Sequence, residues 1–577
     1  MTTFEVWAPE KSPKLRVGDR DHEMEPGDGG WWHLDVPSAG PGTDYAFVLK
    51  DVDNPLPDPR SPWQPQGVHG PSRVYDHAAF AWTDQAWTGR QLPGSVLYEM
   101  HIGTFTPAGT FDAAIERLDH LVDLGVDLVE LLPVNAFNGV YNWGYDGVCW
   151  FAPHEAYGGP DGLKRFVDAA HDKGLGVVLD VVYNHFGPSG AYAPMFAPYL
   201  STGSNTWGSS LNLDGPDSDE VRRYIADSVL MWLRDYHVDG LRLDAVHALH
   251  DEGAVHLLEQ LAVEVESLST ALRRPLSLIA ESDLNDPKLI TPREAGGYGL
   301  HAQWDDDVHH ALHSVLTGER QGYYEDFGSL DCLRTVLEGA FFHAGTWSSF
   351  RGRRHGRPVD RQRVPGHRFV AFLQNHDQIG NRAIGDRLTA TLSPGLLKVG
   401  ATLLLTSPFT PMLFMGEEWA ASSPWQFFTS HPEPDLAAAV QNGRRREFAR
   451  HGWAEAEVPD PQDPATFERS KLDWSELGKP GHSEMLALYR KLIRLRREVP
   501  DLTDPWLSEV EVWHGDQFVV IRRGRHAVAA NLAGAPQTVS LRAVPSAVLL
   551  ATAEGVVLER DRVVLPPESA VVVRTSR

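Results

Sequence analysis

The sequence predicts a multidomain α/β protein: a (β/α)8 TIM-barrel catalytic domain flanked by an N-terminal and a C-terminal β-sandwich. Three observations predict it. Between residues 95 and 419, eight short apolar runs alternate with stretches whose apolar residues recur at helical spacing. No glycine-rich phosphate loop follows an early run, which weighs against the rival, a doubly wound open sheet. Before about residue 90 and after about 496 the texture is all-β, with strand-like runs split by Gly, Pro and Asp. The boundaries read as 1–90 for the N-terminal sandwich (immunoglobulin-like), 91–495 for the barrel and 496–577 for the C-terminal sandwich.

Taken in order, "FEVWAP", "KLRV", "WWHLDV" and "YAFVLK" are the N-terminal strands, and the Pro-rich stretch 53–76 reads as an ordered wrap between domains. The barrel runs are "SVLYEMHI", "LVELLPV", "GVVLDVVYNH", "GLRLDAV", "LSLIAES", "LHAQWDD", "RFVAFLQNHD" and "PMLFMGEEW". Phe111, Ile115, Leu118 and Val122 mark a helix after the first run, and Leu163, Phe166, Val167 and Ala170 one after the second. Val221, Tyr224, Ile225, Val229 and Trp232 mark another before the fourth. Residues 186–215 break this rhythm with Gly, Pro, Ser and aromatics. An excursion there, after the third strand, fits a substrate wall. "SEVEVW", "FVVIRR", "AVAANLA", "AVLLAT" and "RVVL" are the C-terminal strands.

At 577 residues the chain exceeds one ordinary core, and 42% hydrophobic with 23% charged residues is globular. A net charge of −26 argues against nucleic acid or an anionic membrane as partner and for a neutral ligand. Cys149 and Cys332 are the only cysteines, which excludes a disulfide framework and fits a reducing cytoplasm. The first ten residues carry no secretory signature, and the apolar stretch 399–416, interrupted by prolines and hydroxyls, reads as a buried strand pair or a strand–helix junction.

In a barrel, chemistry gathers where strands reach their C-terminal ends. Strand three ends in Asp180, Asn184 and His185, strand four in Arg242 and Asp244, strand five in Glu281, and strand seven in Asn375, His376 and Asp377. Each admits a structural reading: Asp244 as a helix N-cap, Glu281 as a rim ion pair, "NHD" as a turn, His185 as a satisfied buried histidine. Their coincidence at four strand ends argues for one site. Three converging carboxylates suit either a divalent metal or glycoside cleavage, in which one attacks and another donates a proton. Arg242 weighs against metal, because a guanidinium two residues from Asp244 holds that carboxylate ionised and oriented. Glu281 follows "LSLIA" with no arginine nearby in sequence, and is the better proton donor. Tyr141, Trp143, Tyr145, Trp207 and Trp304 offer faces for sugar stacking, although most aromatics serve a core.

"DVVYNH", "GLRLDAVH", "LIAES" and "FLQNHD" resemble, in order and spacing, the four signature regions of the α-amylase family of glycoside hydrolases, over about 95–495. The resemblance implies a retaining mechanism on α-linked glucans, with Asp244 as nucleophile, Glu281 as acid/base and Asp377 as transition-state stabiliser. Arg242, His185, His247 and His376 would meet the cleaved sugar, and Tyr145 would stack under it. The N-terminal part resembles the module ahead of the barrel in branching, debranching and trehalose-forming members. Longer stretches, including "AESDLNDPKL" and "QWDDDVHHALH", resemble members that cleave the α-1,4 bond next to a terminal trehalose unit. In that case Asp305, Asp306 and His309 after strand six, with Gln378 and Asn381 after strand seven, would grip the trehalose and its neighbour, while Trp304 at strand six would be a further, stacking contact. Rim solvation by charged groups is the plainer account of those residues. The excursion is poor in carboxylates, so no metal or other cofactor is expected. The expected partner is the glucan alone, with no stable complex with a trehalose-forming synthase. A glycogen-branching enzyme, a plain α-amylase and a non-catalytic glucan-binding protein are the alternatives.

Overall fold

The computed structural model describes residues 2–50, 52–449 and 458–576. Its centre is a closed barrel of eight parallel strands. They are Leu97–Met100, Leu128–Leu131, Gly176–Val181, Gly240–Leu243, Ser277–Ala280, Ala302–Trp304, Phe369–Phe372 and Thr410–Phe414. Seven of the eight predicted runs contain a barrel strand whole, the eighth begins one residue inside its strand, and the strands close in chain order. Alternation sorts their side chains. Leu97, Leu128, Val178, Ile279, Ala302, Trp304, Val370, Phe372 and Met412 pack together in the interior, while neighbours such as Val129, Leu131, Leu241 and Leu243 join the outer core.

Helices Gly159–Asp172 and Ser218–Asp235 bury all the apolar positions whose spacing predicts them. The first predicted helix is instead two, Phe111–Ile115 and Leu118–Leu124. The break turns the second piece so that Leu121 and Leu124 bury and Val122 is left 41% exposed. The stretch 399–416 is a helix–strand junction, Pro394–Leu405 followed by Thr410–Phe414. Among the described residues no helix is long and apolar enough to cross a membrane.

N-terminal to the barrel lie a three-stranded and a four-stranded antiparallel sheet built from Thr2–Arg73. The Pro-rich wrap is pinned to the barrel: Arg60 pairs with Asp227 at 2.7 Å, and the Tyr224 hydroxyl donates to the Pro59 carbonyl. The C-terminal part has a five-stranded and a three-stranded sheet around Trp513, Val520, Val563 and Val571. The edge strands Gln537–Ser540 and Val557–Glu559 escape the sequence reading because they are short and partly exposed.

Candidate active site

A cavity of about 720 Å³ opens at the C-terminal end of the barrel, within the range of small-ligand sites. Asp244, Glu281 and Asp377 line it together with Tyr145, His185, His247, His376, Asn381 and Trp207.

Asp244 ends the fourth strand. Its Oδ1 accepts from Arg242 Nη1 at 2.8 Å and its Oδ2 from Asn184 Nδ2 at 2.8 Å, so both oxygens are held. It is not an N-cap: a 3-10 turn follows, and the next helix starts only at Leu257 with His256 as its cap. Ala245 lies in the left-handed region at φ 42°, a conformation that is costly for a residue with a side chain. There its N–H donates to Glu281 Oε2 at 2.7 Å. Glu281 Oε2 also lies 3.7 Å from Arg242 Nη2. The sequence argument that Glu281 stands clear of arginine is therefore wrong in space. Its carboxyl is nonetheless raised above its usual range, because burial and the charge of Asp244 outweigh the pull of Arg242.

Arg242 is fully buried, spread over Asp180 (2.8 and 2.9 Å) and Asp244. A chain of contacts runs on from it. Asp180 Oδ2 accepts from the Tyr145 hydroxyl at 2.6 Å, that hydroxyl meets His376 Nε2 at 2.8 Å, and His376 Nδ1 lies 2.5 Å from Glu99 Oε1. Asp377 and Glu99 raise His376 to about 9 against the cost of burial, so it is an imidazolium at neutral pH. Tyr145 lies nearly parallel to His376 at 5.1 Å. Its loop passes so close to the second strand that a Cβ on Gly144, at φ 109°, would sit 2.1 Å from the Pro133 carbonyl oxygen. His185 is fixed by Asn184 Oδ1 at 2.6 Å and faces Trp207. Trp207, 49% exposed, tips a hairpin (Leu200–Ser204 with Ser209–Leu211) inside the predicted excursion.

Of the predicted sugar contacts, Arg242, Trp304, Asp305, Asp306, His309 and Gln378 are not part of the cavity wall; Arg242 is fully buried beneath Asp244. Trp304 is 3% exposed and lies under the Arg242 guanidinium, 4.2 Å from ring centroid to carbon, so it carries the cation instead of a sugar. Asp305 is buried and caps the following helix by accepting from the Val308 N–H. His309 is buried between the Leu373 carbonyl and the Tyr324 hydroxyl. Asp306 alone of that run feels the charges of Glu281 and Asp377: burial, then those two carboxylates, push its carboxyl up to about 8. Gln378 is not a cavity wall but sits beside Asp306, 3.5 Å from Nε2 to Oδ1. Asn381 lines the cavity near Asp377.

Sequence reasoning did not assign Glu99, Glu130 or a role for Asp180, although each is a charge inside an apolar strand, the same signal that marks Arg242. It also missed Asp146, Asp283, Phe427, Val440 and Arg444 in the cavity wall. Asp283 pairs with Arg351 at 3.1 Å, which brings the hairpin 346–355 and exposed Phe350 to the rim. Asp146 and Asp283 stand close after residues the sequence does mark, Tyr145 and Glu281, whereas no local pattern marks Phe427, Val440, Arg444 or the hairpin, which come from distant segments. Among the described residues no group of three or more His, Cys, Asp or Glu is arranged to hold a metal ion.

Residues 74–196 match the alpha amylase catalytic domain model, and 505–572 match a domain of unknown function, DUF3459. The chain is 56% identical to the malto-oligosyltrehalose trehalohydrolase of Rhizobium sp. (strain M-11), over 99% of this chain and 97% of that one. It is 58% identical to the malto-oligosyltrehalose trehalohydrolase of Arthrobacter ramosus, over 92% and 93% of the two chains. A Salmonella typhimurium protein crystallised as a candidate alpha amylase superposes with a TM-score of 0.91 at 40% identity, covering 100% of this chain and 97% of that one.

Proposed function

The chain belongs to the malto-oligosyltrehalose trehalohydrolases, glycoside hydrolases of the α-amylase family, and from that premise we propose how its cleft hydrolyses the α-1,4 bond next to a terminal trehalose. Asp244 attacks the anomeric carbon while Glu281 gives its proton to the glycosidic oxygen. Trehalose leaves, and a covalent glycosyl–Asp244 ester remains. Glu281, now a carboxylate, takes a proton from water. The water oxygen attacks the same carbon, releasing the maltooligosaccharide and restoring Asp244. Asp377 and the His376 imidazolium face the sugar as charge develops on it.

The observation that carries this reading is that Asp244 and Glu281 flank one guanidinium, at 2.8 and 3.7 Å. One guanidinium holds the two carboxylates in a single cluster, and the retaining reading places them about 5–5.5 Å apart, against about 6.5–9.5 Å for an inverting pair. Asn381 in the cavity wall and Asp306, with Gln378 beside it, together with the aromatic rim, are the proposed grip on trehalose. The experiment is product analysis on a maltooligosyltrehalose beside a maltooligosaccharide of equal length, with proton NMR of the first sugar released. Trehalose release with preference for the first substrate, and the α-anomer first, are expected. Equal cleavage of both, branching of amylose, or a β-anomer first refutes the reading.

Residues 1–90, 91–495 and 496–577 are the proposed module boundaries. The proposed setting is the cytoplasm, after a trehalose-forming synthase and without a stable complex with it. Two free, buried cysteines fit a reducing compartment.

A further inference from the structure

Glu130 takes no part in the reaction above, yet it lies under the site. It belongs to the second barrel strand, where Leu128 joins the barrel interior and Val129 and Leu131 the outer core, so alternation turns Glu130 inward. Its backbone pairs with Glu99 on one side and with Val178, two residues before Asp180, on the other. It is 1% exposed, and neither carboxyl oxygen has a hydrogen-bond partner in the protein.

Three carboxyl groups from three consecutive strands, Glu99, Glu130 and Asp180, thus turn into the same region of the barrel interior. Among the described residues, the cations facing Glu130 are Arg242 and His376. Both are engaged: Arg242 by Asp180 and Asp244, His376 by Glu99 at 2.5 Å and Asp377 at 3.5 Å. A buried carboxylate with no counter-ion takes a proton, and burial with the charges of Glu99 and Asp180 pushes this carboxyl far above its usual range. The protonated group is both donor and acceptor. Arg242 Nε and Nη2 and Trp304 Nε1 are also buried without hydrogen-bond partners. Buried polar groups so placed are met by internal water.

We propose that Glu130 is a positioning residue: through internal water it braces the Glu99–His376 pair against the Asp180–Arg242 pair, and so fixes from below Arg242, which holds Asp244, and His376, which lines the cleft. Tyr145 joins the same two pairs from above. The uncharged form suits this role, because an anion at 130 would compete with Asp180 and Asp244 for Arg242. The inference rests on the roles given to Arg242 and His376 above, which the Asp244 and Glu281 variants discussed below test separately.

The experiment compares Glu130→Gln with Glu130→Leu. Glutamine keeps a donor and an acceptor without charge, so kcat, KM and the pH profile of kcat/KM are expected within about twofold of wild type. Leucine removes both groups, so kcat is expected to fall about 3- to 10-fold, the worth of one hydrogen bond, with KM unmoved. Wild-type kcat in Glu130→Leu, or a displaced pH profile in Glu130→Gln, overturns the proposal. Should the leucine variant fail to fold, the infrared difference between wild type and Glu130→Gln decides. Loss of a protonated-carboxyl band supports the proposal, and loss of a carboxylate band overturns it.

Discussion

The two halves of the barrel interior are built differently. Strands one to four place Glu99, Glu130, Asp180 and Arg242 in its upper part, above the apolar Leu97, Leu128 and Val178, and strands five to eight place Ile279, Ala302, Trp304, Val370, Phe372 and Met412. The nucleophile candidate, Asp244, rises from the ionic half and has both oxygens bound. The acid candidate, Glu281, rises from the apolar half above Ile279, and Asp306 follows it one strand on. Both are raised by burial. The lesson is that one mouth sets a carboxylate with both oxygens hydrogen-bonded beside one whose burial raises it, each over a different interior.

The largest test of that contrast exchanges the carboxylates one at a time. Asp244→Asn is expected to lose activity by at least about 10⁴-fold, and Glu281→Gln by about 10²–10⁴-fold, the range for a lost proton donor. A glycosyl fluoride, whose leaving group needs little protonation, should partly restore the first step in Glu281→Gln and not in Asp244→Asn. Equal rescue of both would erase the distinction between the halves. A second test stays on the apolar half. Asp306→Ala is expected to narrow the preference for a maltooligosyltrehalose by roughly ten- to hundredfold, since a hydrogen bond involving a charged or strongly polar group is worth about 1.5–3 kcal/mol. Slow hydrolysis of starch should stay nearly constant. Unchanged kcat/KM ratios would remove Asp306 from the trehalose grip.

A third test reads the ionic half through pH. His376 is raised from 6.5 to about 9 in the folded state. A folded pKa above the unfolded one gives stability that is fully present below about pH 6.5 and is lost as pH rises through about 9. Thermal midpoints measured across that window should decline with pH, and His376→Gln should flatten the decline. A parallel decline in both proteins would assign the effect to another group. The smallest effect is expected from chelation. The proposed chemistry draws on carboxylates, Arg242 and histidines, so prolonged EDTA treatment should leave activity intact. Loss restored by calcium would bring a metal into the region of Asn184.

Much of this was legible along the chain because it is periodic or local. Alternating apolar runs gave the eight strands, and the strand-end pairs Arg242/Asp244 and His376/Asp377 gave one side of the cleft. The Phe111–Val122 helix was misjudged because its spacing fits one helix and the break at Glu116–Arg117 carries no glycine or proline. Trp304, Asp305 and His309 were misplaced because a position after a strand does not tell which way a side chain turns. That depends on the helix cap at Asp305 and on the cation over Trp304.

By itself the sequence determined the barrel, its flanking β-rich parts and the residue types at the strand ends, since hydrophobic periodicity fixes which face of each element must be buried. Only the tertiary structure decided which charges meet. The contacts of Glu281 with Arg242, of His376 with Glu99 and of Asp283 with Arg351 join residues 39, 277 and 68 positions apart. Electrostatic energy depends on distance and burial, and neither exists until the strands close.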